Sequence, residues 1–186
     1  MKARELDRRI TKVKWDGKKV TIAYMILRAP GDDDDPDTYR LTSGDPPKRA
    51  FIEALHALDL DVGIACDIPE LYLNNWIASV TPRGVSFSWK DGIMGAVITA
   101  LKTLADSRAP LVINTPHKPE KPYSAGDSEG ERYCLQAGTI EKLQAVIDRA
   151  LEYLDGDREQ LRLFAAQEKA AAGGAPGRGK KKGGAG

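Results

Sequence analysis

Four side chains in this sequence are suited to act as nucleophile, base or soft metal ligand: His56, Cys66, His117 and Cys134. They stand far apart, and no CxxC or HExxH spacing occurs, so no matched ligand set is offered to a metal ion. His56 falls on a predicted helix, where a boundary position suits it. His117 lies in a proline-rich stretch, Asn114-Thr115-Pro116-His117-Lys118-Pro119. It suits an ordered loop role with structural hydrogen bonds, or a Cys–His pair with Cys134 if the fold brings the two together. The run Asp32-Asp33-Asp34-Asp35 lacks the spaced ligands and glycine of a calcium loop and reads as a solvated loop. Gly92-Ile93-Met94-Gly95 has no Lys-Ser/Thr at phosphate-loop spacing, and Gly177-Arg178-Gly179-Lys180 has neither a strand before it nor a helix after it. We therefore assign no catalytic residue, no metal ligand and no cofactor, and expect a protein that binds rather than one that catalyses. A nuclease with scattered carboxylates would escape this reading.

The elements that would position any site follow from periodicity. Arg9–Trp15 alternates apolar and polar residues as a half-buried strand does, Asp16-Gly17 signals a hairpin, and Lys19–Leu27 returns. Thr38–Thr42 is a short third strand. Asp45 and Pro46 suit the start of a helix that ends near Leu60, with Phe51, Leu55 and Leu58 on its apolar face. Residues 61–75 carry no decisive pattern. Trp76–Thr81 reads as a strand, Pro82-Arg83-Gly84 as a turn, and Val85–Trp89 as a strand closed by the hairpin signal Asp91-Gly92. The β-branched Val97, Ile98 and Thr99 make Ile93–Leu104 a strand rather than a helix. Pro110–Asn114 reads as a short buried strand and Thr115–Gly130 as a polar loop. Thr139 suits the cap of a last helix striped by Ile140, Leu143, Ile147, Leu151 and Leu154, and Asp155-Gly156-Asp157 stops it. Strands that come in hairpins predict an α+β domain over residues 8–154, a mainly antiparallel sheet with two amphipathic helices on one face.

Lys and Arg number 28 against 27 Asp and Glu, so the molecule as a whole is not a polycation. The charge is uneven, however. Residues 1–19 hold eight Lys/Arg against three Asp/Glu, and the tail after Phe164 holds five against Glu168 alone. Lys12, Lys14, Lys18, Lys19, Lys180, Lys181 and Lys182 are the candidate nucleic-acid contacts, and solvated ends are the competing explanation. Trp15 and Trp89, each near a turn, could stack on single-stranded bases or simply cover the sheet core. Residues 165–186 hold no apolar side chain larger than alanine apart from Pro176, which predicts a disordered Gly/Ala/Lys tail. Met1-Lys2-Ala3-Arg4-Glu5 is too polar to lead a signal peptide and no apolar run reaches membrane-span length. A cytoplasmic protein with reduced thiols is expected.

Between the domain and the tail stands Gln160-Leu161-Arg162-Leu163-Phe164. It resembles the peptide by which bacterial proteins bind the β sliding clamp, Gln-Leu-(Ser or Asp)-Leu-Phe, and departs only at Arg162, the most permissive position. The resemblance implies that Gln160 supplies a polar anchor while Leu161, Leu163 and Phe164 fill apolar pockets of the clamp. The competing explanation, another helical turn continuing from Leu154, conflicts with the Asp155-Gly156-Asp157 break. Residues 155–164 are thus expected to be a linear clamp-binding motif.

The body is similar to small uncharacterised proteins of phage and prophage recombination or replication gene clusters. The likeness covers roughly residues 8–164 and is carried by Thr81–Phe87, Met94–Leu101 and Pro110–His117. It implies a DNA-metabolism accessory protein that binds the bacterial clamp, or alternatively a single-stranded DNA-binding or annealing-associated recombination protein, and it supplies no catalytic residues.

Overall fold

Apolar side chains at alternate positions force each strand to show one face to a core and the other to water. The computed structural model, which describes residues 8–27, 36–69, 75–123 and 130–159, realises this in one antiparallel sheet. Strands β1 (Arg8–Trp15), β2 (Val20–Ile26) and β3 (Asp37–Ser43) form one meander. Strands β4 (Val80–Lys90), β5 (Ile93–Lys102) and β6 (Leu111–Asn114) form a second, with the two-residue β7 (Lys118–Pro119) also on β5. The order is β3-β2-β1-β4-β5-β6. Helices α1 (Arg49–His56), α2 (Asp59–Ala65) and α3 (Ala137–Leu154) cover one face. The expected α+β architecture is present; among the described residues three helices of seven residues or more stand where two were expected.

Ile10, Val13, Val20, Ile22, Val85, Phe87, Ala96 and Ile98 point from the sheet into the core, against Phe51, Leu55, Leu58, Val62, Leu143, Val146, Ala150 and Tyr153. Ile10 and Val13 are three residues apart, yet both face inward, because a bulge in β1 between Ile10 and Lys12 resets the alternation. A second bulge falls in β4 between Pro82 and Gly84. Beside it β1 meets β4 over only three pairs, Lys12–Ser86, Val13–Val85 and Lys14–Gly84.

Several expectations are corrected. Pro82-Arg83-Gly84 is not a turn but the interior of β4; Pro82 lies beyond the three β1 pairs, where its missing N–H costs no ladder bond. Trp76 and Ile77 are helical, and the strand begins only at Val80. Asp16-Gly17 opens a four-residue loop, since Trp15 pairs with Val20, whereas Asp91-Gly92 is the two-residue turn expected, both residues at positive φ. The helix expected to reach Leu60 is broken at Ala57–Leu58, where fully buried Leu58 turns inward and α2 starts anew. Asp45 caps no helix, for Pro46 and Pro47 hold the chain extended until Lys48. β6 is not buried but an exposed edge, with Leu111 49% and Val112 58% accessible. α3 begins at Ala137, two residues before Thr139, and its buried stripe is Leu143, Val146, Ile147, Ala150 and Tyr153, with Ile140, Leu151 and Leu154 only half-buried.

Gly84 is the tightest point of the sheet. A Cβ there would lie 2.5 Å from the Val13 carbonyl oxygen and 3.2 Å from the Lys14 Cα, both backbone atoms that cannot swing aside. Gly84→Ala is expected to cost about 2–3 kcal/mol of stability, the range of core overpacking, read as a lower urea midpoint. A midpoint equal to that of the wild type would show that the strands separate freely.

Candidate functional site

The antiparallel register that turns the apolar residues inward turns Lys12, Lys14 and Arg40 outward, onto the face that carries none of the described helices. All three are exposed. Lys12 lies opposite Ala23 and Ser86, Lys14 opposite Thr21 and Gly84, and Arg40 opposite Ala23 on its other side. No outward position of the described strands carries a carboxylate, and none of the three cations has an ion-pair partner among the described residues. A shallow hollow of about 230 Å³ lies among Lys12, Lys14, Gly84, Ser86, Thr99 and Asn114.

Lys18 and Lys19 stand at the β1–β2 tip, where Asp16 organises the loop. Its Oδ1 accepts the N–H groups of Lys18 at 2.8 Å and Lys19 at 2.7 Å. Those two bonds hold the Asp16 carboxyl below its ordinary range, helped by the Lys14 and Lys19 charges. The stabilisation is therefore present above the ordinary Asp pKa and fades only as pH falls through the depressed value. Lys180, Lys181 and Lys182 lie outside the described residues, as do Gln160, Leu161, Leu163 and Phe164. Trp15 and Trp89 pack against the core. The Trp89 indole N–H donates to the Ile10 carbonyl at 2.9 Å, and the Arg9 guanidinium lies 5.4 Å from its ring centre. The rings therefore cover the sheet rather than offer a stacking platform on the open face.

The residues that precede the clamp-like peptide are held to the body. Arg158 pairs in an antiparallel bridge with Pro47, and the Glu159 N–H donates to the Pro46 carbonyl at 3.0 Å. Arg158 reaches Asp45 at 2.8 Å and lies over the Tyr153 ring, whose hydroxyl donates to the Asp45 carbonyl at 2.7 Å. Lys48 pairs with Asp157. Asp45, expected to cap a helix, is instead the centre of this clasp. The sequence carries a partial signal for it, since Pro46-Pro47 leaves a strand-like stretch with carbonyls to offer.

The histidine and cysteines do not assemble. His117 Nε2 is 2.7 Å from Ser88 Oγ on the open face, over Gly95, where a side chain would collide with both. Cys134 donates to the Gly130 carbonyl and lines a cavity on the helix side, so the alternative of a Cys–His pair is not formed, and His117 takes the ordered loop role with a structural hydrogen bond. A serine–imidazole pair resembles half of a nucleophile–base system, but no carboxylate orients His117 among the described residues. Burial first, then Asp67, push the Cys66 thiol up while Lys118 opposes them, which disfavours the thiolate that would act as nucleophile or ligand. No cluster of three metal-ligating residues occurs among the described residues, and none of their helices is long and apolar enough to cross a membrane.

The helix-side cavity, about 310 Å³, is floored by Ala96 and Ile98 and reached by Asp61, which is only 5% exposed. Asp61 is missed by sequence reasoning because the 61–75 stretch has no clear period. Its carboxylate accepts from Thr139 Oγ1 at 2.5 Å and from Lys142 Nζ at 2.6 Å, so it fastens α2 to α3. Lys142→Met is expected to lower stability by about 2–3 kcal/mol, below the full cost of breaking a buried pair because Lys142 is a third exposed. Thermal unfolding unchanged by the substitution would show that the bond is incidental. Neither a family model, nor a curated protein, nor a solved structure matches this chain.

Proposed function

We propose that the protein is an accessory factor of phage or prophage DNA metabolism that docks on the bacterial β sliding clamp through Gln160, Leu161, Leu163 and Phe164. The observation that carries this is the peptide itself, four of whose five residues match the clamp-binding pattern. Its position supports the reading. The last described contact between chain and body is Glu159 on Pro46, so the peptide starts at the next residue. A large apolar group there, directly before a Gly/Ala/Lys tail, needs a partner surface to cover it.

On this reading the Gln160 amide gives a donor and an acceptor to a polar anchor point, and Leu161, Leu163 and Phe164 enter apolar pockets. The protein acts in the cytoplasm of a bacterial host and is not an enzyme. A second reading, a single-stranded DNA-binding or annealing-associated recombination protein, draws on Lys12, Lys14, Lys18 and Lys19 and on the Lys180–Lys182 cluster instead of the peptide.

The test is the double substitution Leu163→Ala/Phe164→Ala, measured by surface-bound clamp binding alongside thermal unfolding. Truncating a buried anchor costs about 2 kcal/mol or more, so the pair should weaken binding roughly a hundredfold or more, with the unfolding temperature unchanged. A variant that folds normally and binds the clamp as tightly as wild type sinks the proposal. A variant that melts much earlier places the two residues in the fold and removes the proposal's main support.

A further inference from the structure

We propose that the sheet face opposite the described helices, centred on Lys12, Lys14 and Arg40, is a docking surface for the phosphate backbone of double-stranded DNA, bound without base stacking. This surface is independent of the clamp peptide, and either can hold without the other.

The charge arrangement carries the inference. Acidic and basic residues are nearly equal in number, yet the face is one-signed. On the helix side, several cations are matched: Arg49 with Glu53, Lys142 with Asp61, Arg149 with Glu152. On the open face, Lys12, Lys14 and Arg40 have no such partner among the described residues. Lys12 and Lys14 share one face of β1, about 6.6 Å apart, and Arg40 lies two strands from Lys12, about 9.5 Å across. Three like charges this close repel one another unless an outside anion joins them. Asp16, two residues along from Lys14, is committed to two N–H groups of its own turn.

The neighbours suit phosphate. Thr21, Thr42 and Ser86 face the same way and bring hydroxyl groups, which with Lys and Arg make up most backbone contacts to DNA. Ala23 between Lys12 and Arg40, and Gly84 on the other side of Lys14, keep the surface low, so long side chains reach outward over it. No aromatic ring stands among the outward residues of β1 to β4, which removes the stacking contacts that favour single strands. What remains is charge, and the duplex presents it at the higher density.

The experiment uses the full chain and fluorescence anisotropy with a labelled random-sequence duplex and a single strand of equal length, across a salt series. Duplex binding is expected to be the tighter and to weaken steeply with salt. Lys12→Gln/Lys14→Gln/Arg40→Gln should reduce duplex affinity tenfold or more at low salt and flatten the log–log salt slope by about 2–3, since each neutralised phosphate contributes about 0.9 to it. Ser86→Glu, which sets one anion on the same face and keeps the cations, should weaken duplex binding too and guards against misfolding of the triple variant. Lys180→Gln/Lys181→Gln/Lys182→Gln and Leu163→Ala/Phe164→Ala should each leave most of the affinity. Wild-type affinity in a folded triple variant, or in Ser86→Glu, overturns the proposal, as does tighter binding of the single strand or loss of binding confined to the tail variant. An intact DNA response with a failed clamp assay leaves this surface standing and removes only the peptide reading.

Discussion

The whole sheet depends on one close approach. The first three strands and the last strands form separate meanders, each held by long hairpin ladders, and the two are joined only where β1 runs beside β4 for three residue pairs. Gly84 makes that junction possible, because any side chain there would sit on the Val13 carbonyl. Bulges flank the junction in both strands. They let Ile10 and Val13 both face the core and let β4 pass its proline without turning. With the junction in place, the inward residues of both meanders form one apolar surface wide enough for α1 and α3 to lie on together. Without it each meander would have an uncovered apolar face, since a few strands alone bury too little to be stable.

The same register decides what the solvent sees. Once Val13 is committed to the core, Lys12 and Lys14 must point away from it, and pairing carries Thr21, Ser86 and Arg40 to the same side. Glu53 and Glu152 instead form ion pairs on the helices, and Asp61 a buried bond between two of them. Among the described residues, the two faces of the sheet thus differ in charge. Net charge conceals this because it sums over both, and a strand places its charges by parity rather than by position along the chain.

Strong local periodicity was readable and tertiary pairing was not. β1, β2, β3 and the β4–β5 hairpin are legible because alternation and Asp91-Gly92 are local signals. Lys12 and Lys14 could be named from charge alone, but Arg40 could not, because its relation to them exists only through β2. The Pro82-Arg83-Gly84 stretch misled because its residues favour turns when considered alone, and only neighbours on both sides hold them extended. β6 misled in the opposite sense: Leu111, Val112 and Ile113 look like a core strand, but the sheet ends there. Thr139 looked like a cap because threonine is good at that task. Its hydroxyl instead serves Asp61, 78 positions away, a partner no window of sequence contains.

The clasp at Asp45 gives the end of the domain a mechanical sense. Arg158 is held by a carboxylate, a strand-like bridge and an aromatic ring at once, and Tyr153 beneath it is fully buried. Motion of the chain is therefore restrained up to Glu159. A peptide that starts at residue 160 begins from a fixed point on the body rather than from a long tether. If the protein engages both proposed surfaces, that short connection matters. The second contact becomes intramolecular after the first, with an effective concentration that falls as the linker lengthens. A clamp bound at residues 160–164 would thus stay close to whatever the sheet face holds. The Asp155-Gly156-Asp157 turn, with Gly156 at φ +96°, ends α3 and redirects the chain toward Pro46 and Pro47. A feature that reads locally as a helix stop becomes, through the fold, the element that fixes where the peptide leaves the domain.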